Sequence, residues 1–440
     1  RHRRTEVDVL AYYCGPASKS ELTQRIKASV EHWIDIRNMS DDEAARQIAA
    51  AGIDVLVDVN GHTRDSRTGI FARRPAPVQV NWLGYPGSMA TPYHHYIIAD
   101  DWIIPAGSEI YYSEKVVRLP CYQPNDRKRQ VAPTRPSRGE AGLPDDAFVF
   151  CCFNGTHKIS RPTFERWLEI MQRVPGSVLW LLGSSGETTA RLVEFAAQKG
   201  VSPSRIIFAP RLLNSQHLAR YPLADLFLDT APDGAHTTAA DALWMGVPVL
   251  TPSGRSFASR VCGSLVRAAG LTNLVVSCPK DYVERAVALA GNPAEIQSYK
   301  AKLEAGRHTC RLFDTDLLVR HLEELYRAMC RDHQSGRRPQ PDLANLNNYL
   351  EAGLDHDHES REVIAMDGYH QHYQARLARL HLARPMRPDS RLWTDKDIQR
   401  IEGAGRPEPI AKNKEPLAKN KSPTAKNTAP RRLAAELAAR

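Results

Sequence analysis

From about residue 142 onward the sequence settles into a regular rhythm. Short apolar runs at 148–153, 178–182, 205–208, 225–229, 247–251 and 273–276 alternate with helical stretches near 162–173, 188–199, 215–220, 237–245, 257–269 and 280–290. Successive parallel strands need a crossover, usually a helix, so this alternation predicts a parallel, doubly wound sheet. Leu318, Leu322, Leu325 and Met329 recur at helical spacing and predict a last helix over 314–330 that closes the unit.

The preceding half is less regular. A short apolar run at 7–13 is followed by helical stretches at 20–36 and 41–51. Residues 53–60 are rich in β-branched residues, with Leu56 apolar on the other parity, and read as a strand covered on two faces, which Gly61 ends. Pro- and Gly-punctuated loops over 73–77 and 82–87 lead to a further strand at 96–99. With 440 residues, two globular units are expected. Their boundaries are drawn as an N-terminal Rossmann-like domain over 1–141 and a C-terminal one over 142–335. A polar extension follows over 336–400 and a disordered basic tail over 401–440. The tail carries a roughly seven-residue repeat, Ala411-Lys-Asn-Lys-Glu-Pro-Leu and its successors. Proline in each copy rules out a coiled coil.

The net charge of +9 is mostly a property of that tail, where nine Lys/Arg face four Asp/Glu, so it argues for no specific nucleic-acid partner. Eight scattered cysteines form no paired CxxC unit and read as reduced, mostly buried thiols. No apolar run reaches the length of a membrane span, and Arg1-His-Arg-Arg4 has no apolar stretch behind it to make a secretory signal. These features point to the cytoplasm.

The stretch richest in chemistry runs from Asp225 to Leu250. A buried strand ends at Asp229, a small-residue loop containing Gly234 follows, and a helix begins at Thr237 and Thr238, just after His236. In open α/β sheets ligands sit at the carboxyl ends of strands, beside the next helix N-terminus, whose N–H groups and dipole suit a diphosphate. Asp241 lies one turn deeper on the same face, placed to accept bonds from ribose hydroxyls. An ordinary helix start also carries threonine caps and first-turn acids, so this pattern gains weight only from its neighbours. Those are His217 and Arg220, three apart on one helix side, and Lys158 at the first strand-to-helix turn, where its charge could offset that of a leaving diphosphate.

Several ordered blocks resemble the catalytic region of protein O-GlcNAc transferases, especially bacterial members that carry tetratricopeptide repeats upstream. They are Asp54-Val-Leu-Val-Asp-Val-Asn-Gly-His-Thr63, Arg74-Pro-Ala-Pro-Val-Gln79, Trp82-Leu-Gly-Tyr-Pro-Gly87, Tyr112-Ser-Glu-Lys115, Phe153-Asn154 with Lys158-Ile159, Ser177-Val-Leu-Trp-Leu-Leu182, His236-Thr-Thr238 and Phe257-Ala-Ser-Arg260. The resemblance spans residues 5–335. It implies an α/β, GT-B-like pair of Rossmann-type domains, a UDP-sugar as donor substrate, a protein or peptide acceptor, and inverting chemistry without a cofactor or an essential metal. Carried over by residue, Lys158 would stabilise the leaving UDP, and His217 and Arg220 would contact the uridine side. His236, Thr237 and Thr238 would hold the diphosphate, and Asp241 the ribose. Gly84 would approach the sugar, and His62 and Thr63 would lie on the acceptor side.

The sequence also departs from the family. Gly155 stands where some members have a donor-contacting glutamine, Gly87-Ser-Met-Ala90 replaces Gly-Thr-x-Gly, and His94-His95-Tyr96 replaces Met-Asp-Tyr. A strand and an Asp/His-containing loop that the family carries would precede Arg1, so the expectation is a catalytic region cut short at its start. Two rival readings stand beside this one. A metal-dependent GT-A transferase would use Asp355 and Asp357 with His358 and Glu359. A binding or scaffold protein would keep the nucleotide site without turnover.

Overall fold

The computed structural model describes residues 2–387 except 126, 355 and 358–360, together with 396 and 399; the repeat-bearing tail over 401–440 lies outside them. In chain order the strands are β1 (Leu10–Tyr13), β2 (His32–Asp35), β3 (Val55–Asp58), β4 (Val78–Asn81), β5 (Tyr96–Ala99), β6 (Lys115–Arg118), β7 (Val149–Cys152), β8 (Val178–Leu182), β9 (Ile206–Ala209), β10 (Leu226–Leu228), β11 (Val249–Pro252) and β12 (Val275–Val276). They form three parallel sheets, ordered β1-β2, β3-β4-β5-β6 and β12-β11-β10-β7-β8-β9.

Local chemistry explains the individual elements. The helix Asp41–Ala50 starts on a capping box, in which the Ser40 hydroxyl accepts from the Glu43 N–H and the Glu43 carboxylate accepts from the Ser40 N–H. The helix Arg161–Arg173 is capped by Ser160, has proline in its first turn, and buries Phe164, Trp167, Leu168 and Met171 at helical spacing. Burying each such large apolar side chain is worth about 1.5–3 kcal/mol. Strands β7, β8 and β10 are buried almost throughout, as strands covered by helices on both faces must be.

Three stretches differ from the sequence expectation. Residues 20–36 are not one helix: Glu21–Lys27 is helical, and His32–Asp35 pairs in parallel with β1 as β2. The Ser29 hydroxyl bonds the Ile26 carbonyl at the helix end, and Trp33 and Ile34 then take the extended form that sheet pairing rewards. The predicted last helix exists as Thr315–Gln334, but its apolar face does not close the second unit. Leu322 and Met329 pack with Val78, Val80, Tyr96 and Ile98 of the four-stranded sheet of the first unit. Within the polar extension, helices Leu346–Leu354 and Tyr369–Ala383 bury Ala352, Leu377 and Met386 against one another.

The two larger units meet along their strand ends. Trp102, just beyond β5, donates from Nε1 to the Ser253 hydroxyl at 3.2 Å, and its carbonyl accepts from Arg260 Nε at 2.6 Å. The Arg260 and Arg267 guanidinium groups lie 4.4 and 4.3 Å from the Trp102 ring centroid. Gly263, inside the helix Phe257–Ala268, lets this ring in: a Cβ there would stand 2.5 Å from Trp102 Nε1. No described helix is long and apolar enough to cross a membrane.

Candidate active site at the strand-order reversal

The six-stranded sheet runs outward from β7 through β8 to β9 on one side and from β10 through β11 to β12 on the other. Its strand order reverses between β7 and β10, where the connecting loops part and leave a crevice. The loop after β7 carries Asn154 and Lys158; the loop after β10 carries Asp229 to His236 and leads into the helix Thr237–Trp244.

Two buried polar residues hold these loops together, and the sequence reading assigned neither a role. The Asp229 carboxylate accepts from the Thr230 and Ala235 N–H groups at 2.8 and 2.7 Å and from the Thr251 hydroxyl at 2.7 Å, which coils the loop around one point. Burial pushes its pKa up. Asn154, 2% exposed, donates to the Thr230 hydroxyl at 2.8 Å and accepts from the Thr238 hydroxyl. It thereby fastens the end of β7 to the start of the helix. The signal available for both was a polar residue closing an apolar strand run, which marks a strand end and nothing more.

Lys158 ends a short 3-10 turn, and its ammonium donates to Asp233 Oδ1 at 3.1 Å and to the Gly234 carbonyl at 2.8 Å. It therefore stands beside the helix start, as expected, with Asp233 as an unforeseen counter-ion. His236 immediately precedes the helix; its Nε2 is buried without a hydrogen-bond partner, and burial and then the Lys158 charge lower its pKa to about 4. The first-turn N–H groups of Thr237, Thr238 and Ala239 have no intrahelical acceptor and face the same side. The crevice thus offers a cation, backbone donors and hydroxyls, a set suited to an anionic diphosphate.

Beyond β9, the helix Asn214–Arg220 presents His217. Arg220 lies beneath it, 2% exposed. Its guanidinium donates to His217 Nδ1 at 2.5 Å and to the Pro210 carbonyl at 2.7 Å, and stacks 4.9 Å from the Phe153 ring centroid. Burial and the Arg220 charge lower the His217 pKa to about 4. Asp241 pairs with Arg129, which arrives from the crossover between the two sheets and which no local sequence pattern locates.

On the first unit, the β3 loop carries His62 and Thr63, both exposed; His62 Nε2 lies 2.9 Å from the Met89 carbonyl. Gly84 follows β4, and a Cβ there would sit 2.0 Å from the Val59 carbonyl oxygen, so backbone packing alone already demands glycine. The Tyr122 hydroxyl bonds the Leu83 carbonyl at 2.9 Å while its ring packs on Phe257, which ties the Gly84 loop to the second unit. Among the described residues no three His, Cys, Asp or Glu side chains are grouped to hold a metal; Asp355, His358 and Glu359 lie outside them, and His356 Nε2 lies 2.7 Å from the Arg361 carbonyl.

Two parallel Rossmann-type sheets with facing strand ends, and a phosphate-suited helix start on the second, define a GT-B architecture. The signature of Glycosyl transferase family 41 matches residues 1–131 and 123–322, and the chain belongs to that family. A probable UDP-N-acetylglucosamine–peptide N-acetylglucosaminyltransferase, SEC, of Arabidopsis thaliana is 40% identical over 346 residues, covering 77% of this chain and 35% of that protein. The Caenorhabditis elegans UDP-N-acetylglucosamine–peptide N-acetylglucosaminyltransferase is 27% identical over 448 residues, covering 76% and 39%. A solved lysine-to-methionine mutant of Thermobaculum terrenum O-GlcNAc transferase aligns with a TM-score of 0.70 at 32% identity, over 76% of this chain and 64% of that one. The chain spans roughly a third of the length of these curated relatives.

Proposed function

We propose that this chain is the catalytic region of a protein O-GlcNAc transferase, moving GlcNAc from UDP-GlcNAc to serine or threonine hydroxyls of a protein or peptide acceptor. The acceptor oxygen attacks the anomeric carbon from the face opposite UDP, the bond to the β-phosphate oxygen breaks, the configuration inverts, and the hydroxyl proton passes to a base. The negative charge that develops on the departing diphosphate falls where the Lys158 ammonium and the N–H groups at Thr237 and Thr238 stand, so electrostatic stabilisation comes from the protein without an essential metal or cofactor. His236 flanks the diphosphate as a neutral imidazole, His217 meets the uridine side over the buried Arg220, and Asp241 accepts from the ribose. Gly84 borders the sugar, and His62 and Thr63 face the acceptor. The names of the relatives support the choice of sugar and acceptor. Eight cysteines as free thiols fit a reducing compartment such as the cytoplasm.

The observation that carries this reading is the meeting of Lys158 with the helix start at Thr237, at the strand-order reversal. Calorimetric titration with UDP in the presence of a chelator tests it. Binding should survive chelation; binding only with added divalent ion would move the donor site to a metal centre. A panel of nucleotide sugars, read by donor hydrolysis, then decides the sugar.

A further inference from the structure

The crossover between the two sheets does more than connect them. Asn125 is tied to the Leu312 carbonyl at 3.3 Å, and the Ala132 N–H donates to the Ser215 carbonyl at 3.0 Å, in the turn that carries His217. Between these two anchors the chain passes over the helix Thr237–Trp244, and Arg129 reaches down to it. Its guanidinium pairs with Asp241 through Oδ1 and lies 6.0 Å from the Trp244 ring centroid. Trp244 is itself fixed, with Phe313 edge-on at 4.9 Å and Arg307 at 5.5 Å.

The Arg129 and Asp241 side chains are each only 14% exposed. An exposed ion pair would mean little, but a carboxylate this far from water needs a partner to remain ionised and ordered. The pair is made through Oδ1 of the carboxylate. With anchors seven residues apart and a fixed indole beneath, the guanidinium has little room to withdraw from the helix. We infer that Arg129 is a positioning residue for nucleotide binding: it holds the Asp241 carboxylate in place to accept from a ribose diol, and it remains in place when the nucleotide binds. This assignment rests on the donor reading above and gives the interdomain crossover a part in recognising the nucleoside.

A competing arrangement, in which Arg129 masks Asp241 and must be displaced, predicts the opposite sign. The discriminating measurement is calorimetric titration of the 440-residue chain and its variants with UDP and with 2′,3′-dideoxyuridine diphosphate. R129M keeps an apolar stem over Trp244 but removes the charge. It should weaken UDP about tenfold or more, leave the dideoxy nucleotide within twofold of wild type, and cost nothing further in a D241N background. R129K should recover part of the loss, because it restores the charge without the fork. Equal or tighter UDP binding by R129M would overturn the assignment in favour of masking. Equal weakening of both nucleotides would overturn it in favour of a packing role. If the wild-type chain binds neither nucleotide, the donor reading itself fails and the assignment falls with it. Should R129M melt early, the comparison of R129K with D241N carries the same decision, since only a positioning role makes R129K selective against UDP.

Discussion

Lys158 is held by Asp233 and the Gly234 carbonyl at the point where a diphosphate would meet the helix start. Its amine gains most when charge builds on the leaving group, so K158A should lower kcat by about 10²–10³ while UDP affinity changes little. Near-normal turnover with a raised KM would reduce the lysine to a donor clamp. Three histidines give a second consequence at this scale. His95, His217 and His236 each have a pKa lowered from 6.5 to about 4, in every case mainly by burial. The unfolded chain therefore takes up protons near pH 6.5 that the folded chain refuses until about pH 4, so their stabilisation is complete above 6.5 and is lost as pH falls through that window. Ordinary carboxylates begin to titrate only near the bottom of it. The melting temperature should thus fall between pH 7 and pH 5. H95Q keeps an acceptor for the Gln79 N–H that now bonds His95 Nδ1 at 3.0 Å, and should flatten the slope. An unchanged slope would remove His95 from this account.

The loops of the candidate site are built at the scale of elements, where Asn154 joins β7, the loop after β10 and the helix start through one side chain. N154A should destabilise the fold by about 1–3 kcal/mol, because it removes two hydrogen bonds, the amide's donation to the Thr230 hydroxyl and the acceptor of the part-buried Thr238 hydroxyl. UDP affinity should fall with it as the helix start loses its anchor, measured by urea unfolding and by titration on the same sample. Loss of stability with unaltered affinity would make Asn154 scaffold alone. The sequence foretold the strands on which this junction stands, since apolar runs at 148–153 and 225–229 and a helix start at Thr237 are local patterns. It could not foretell which loop ends meet, because that depends on the strand order reversing between β7 and β10. For the same reason Lys158, Thr237 and Asp241 were singled out by local pattern and by resemblance, whereas Asp233 and Arg129, their partners across 75 and 112 residues, were not. The misread stretch at 20–36 has a related cause: β2 has four residues and exists by pairing with β1.

At the scale of the whole molecule, the helix Thr315–Gln334 follows the second unit in sequence and packs on the sheet of the first. Its apolar period announced a buried face, but no period states which sheet will cover it. Together with Trp102 in its slot beside Gly263 and the anchored crossover at Arg129, it makes three separate attachments between the units. Domains joined by extensive, well-packed contacts should melt together, not in sequence. L322A tests this directly. Leu322 is 3% exposed among residues of the four-stranded sheet, and its truncation should cost about 2–5 kcal/mol through lost burial and the cavity left behind. If the units are coupled as the packing implies, calorimetry will show one transition displaced to lower temperature. The fluorescence of Trp167 and Trp180, buried in the second unit, will then move with it although neither lies near the mutation. An early partial transition that leaves the tryptophan signal and UDP binding at their original melting temperature would show the four-stranded sheet unfolding by itself, and the helix would then be an appendage to that sheet instead of the link that binds the two units.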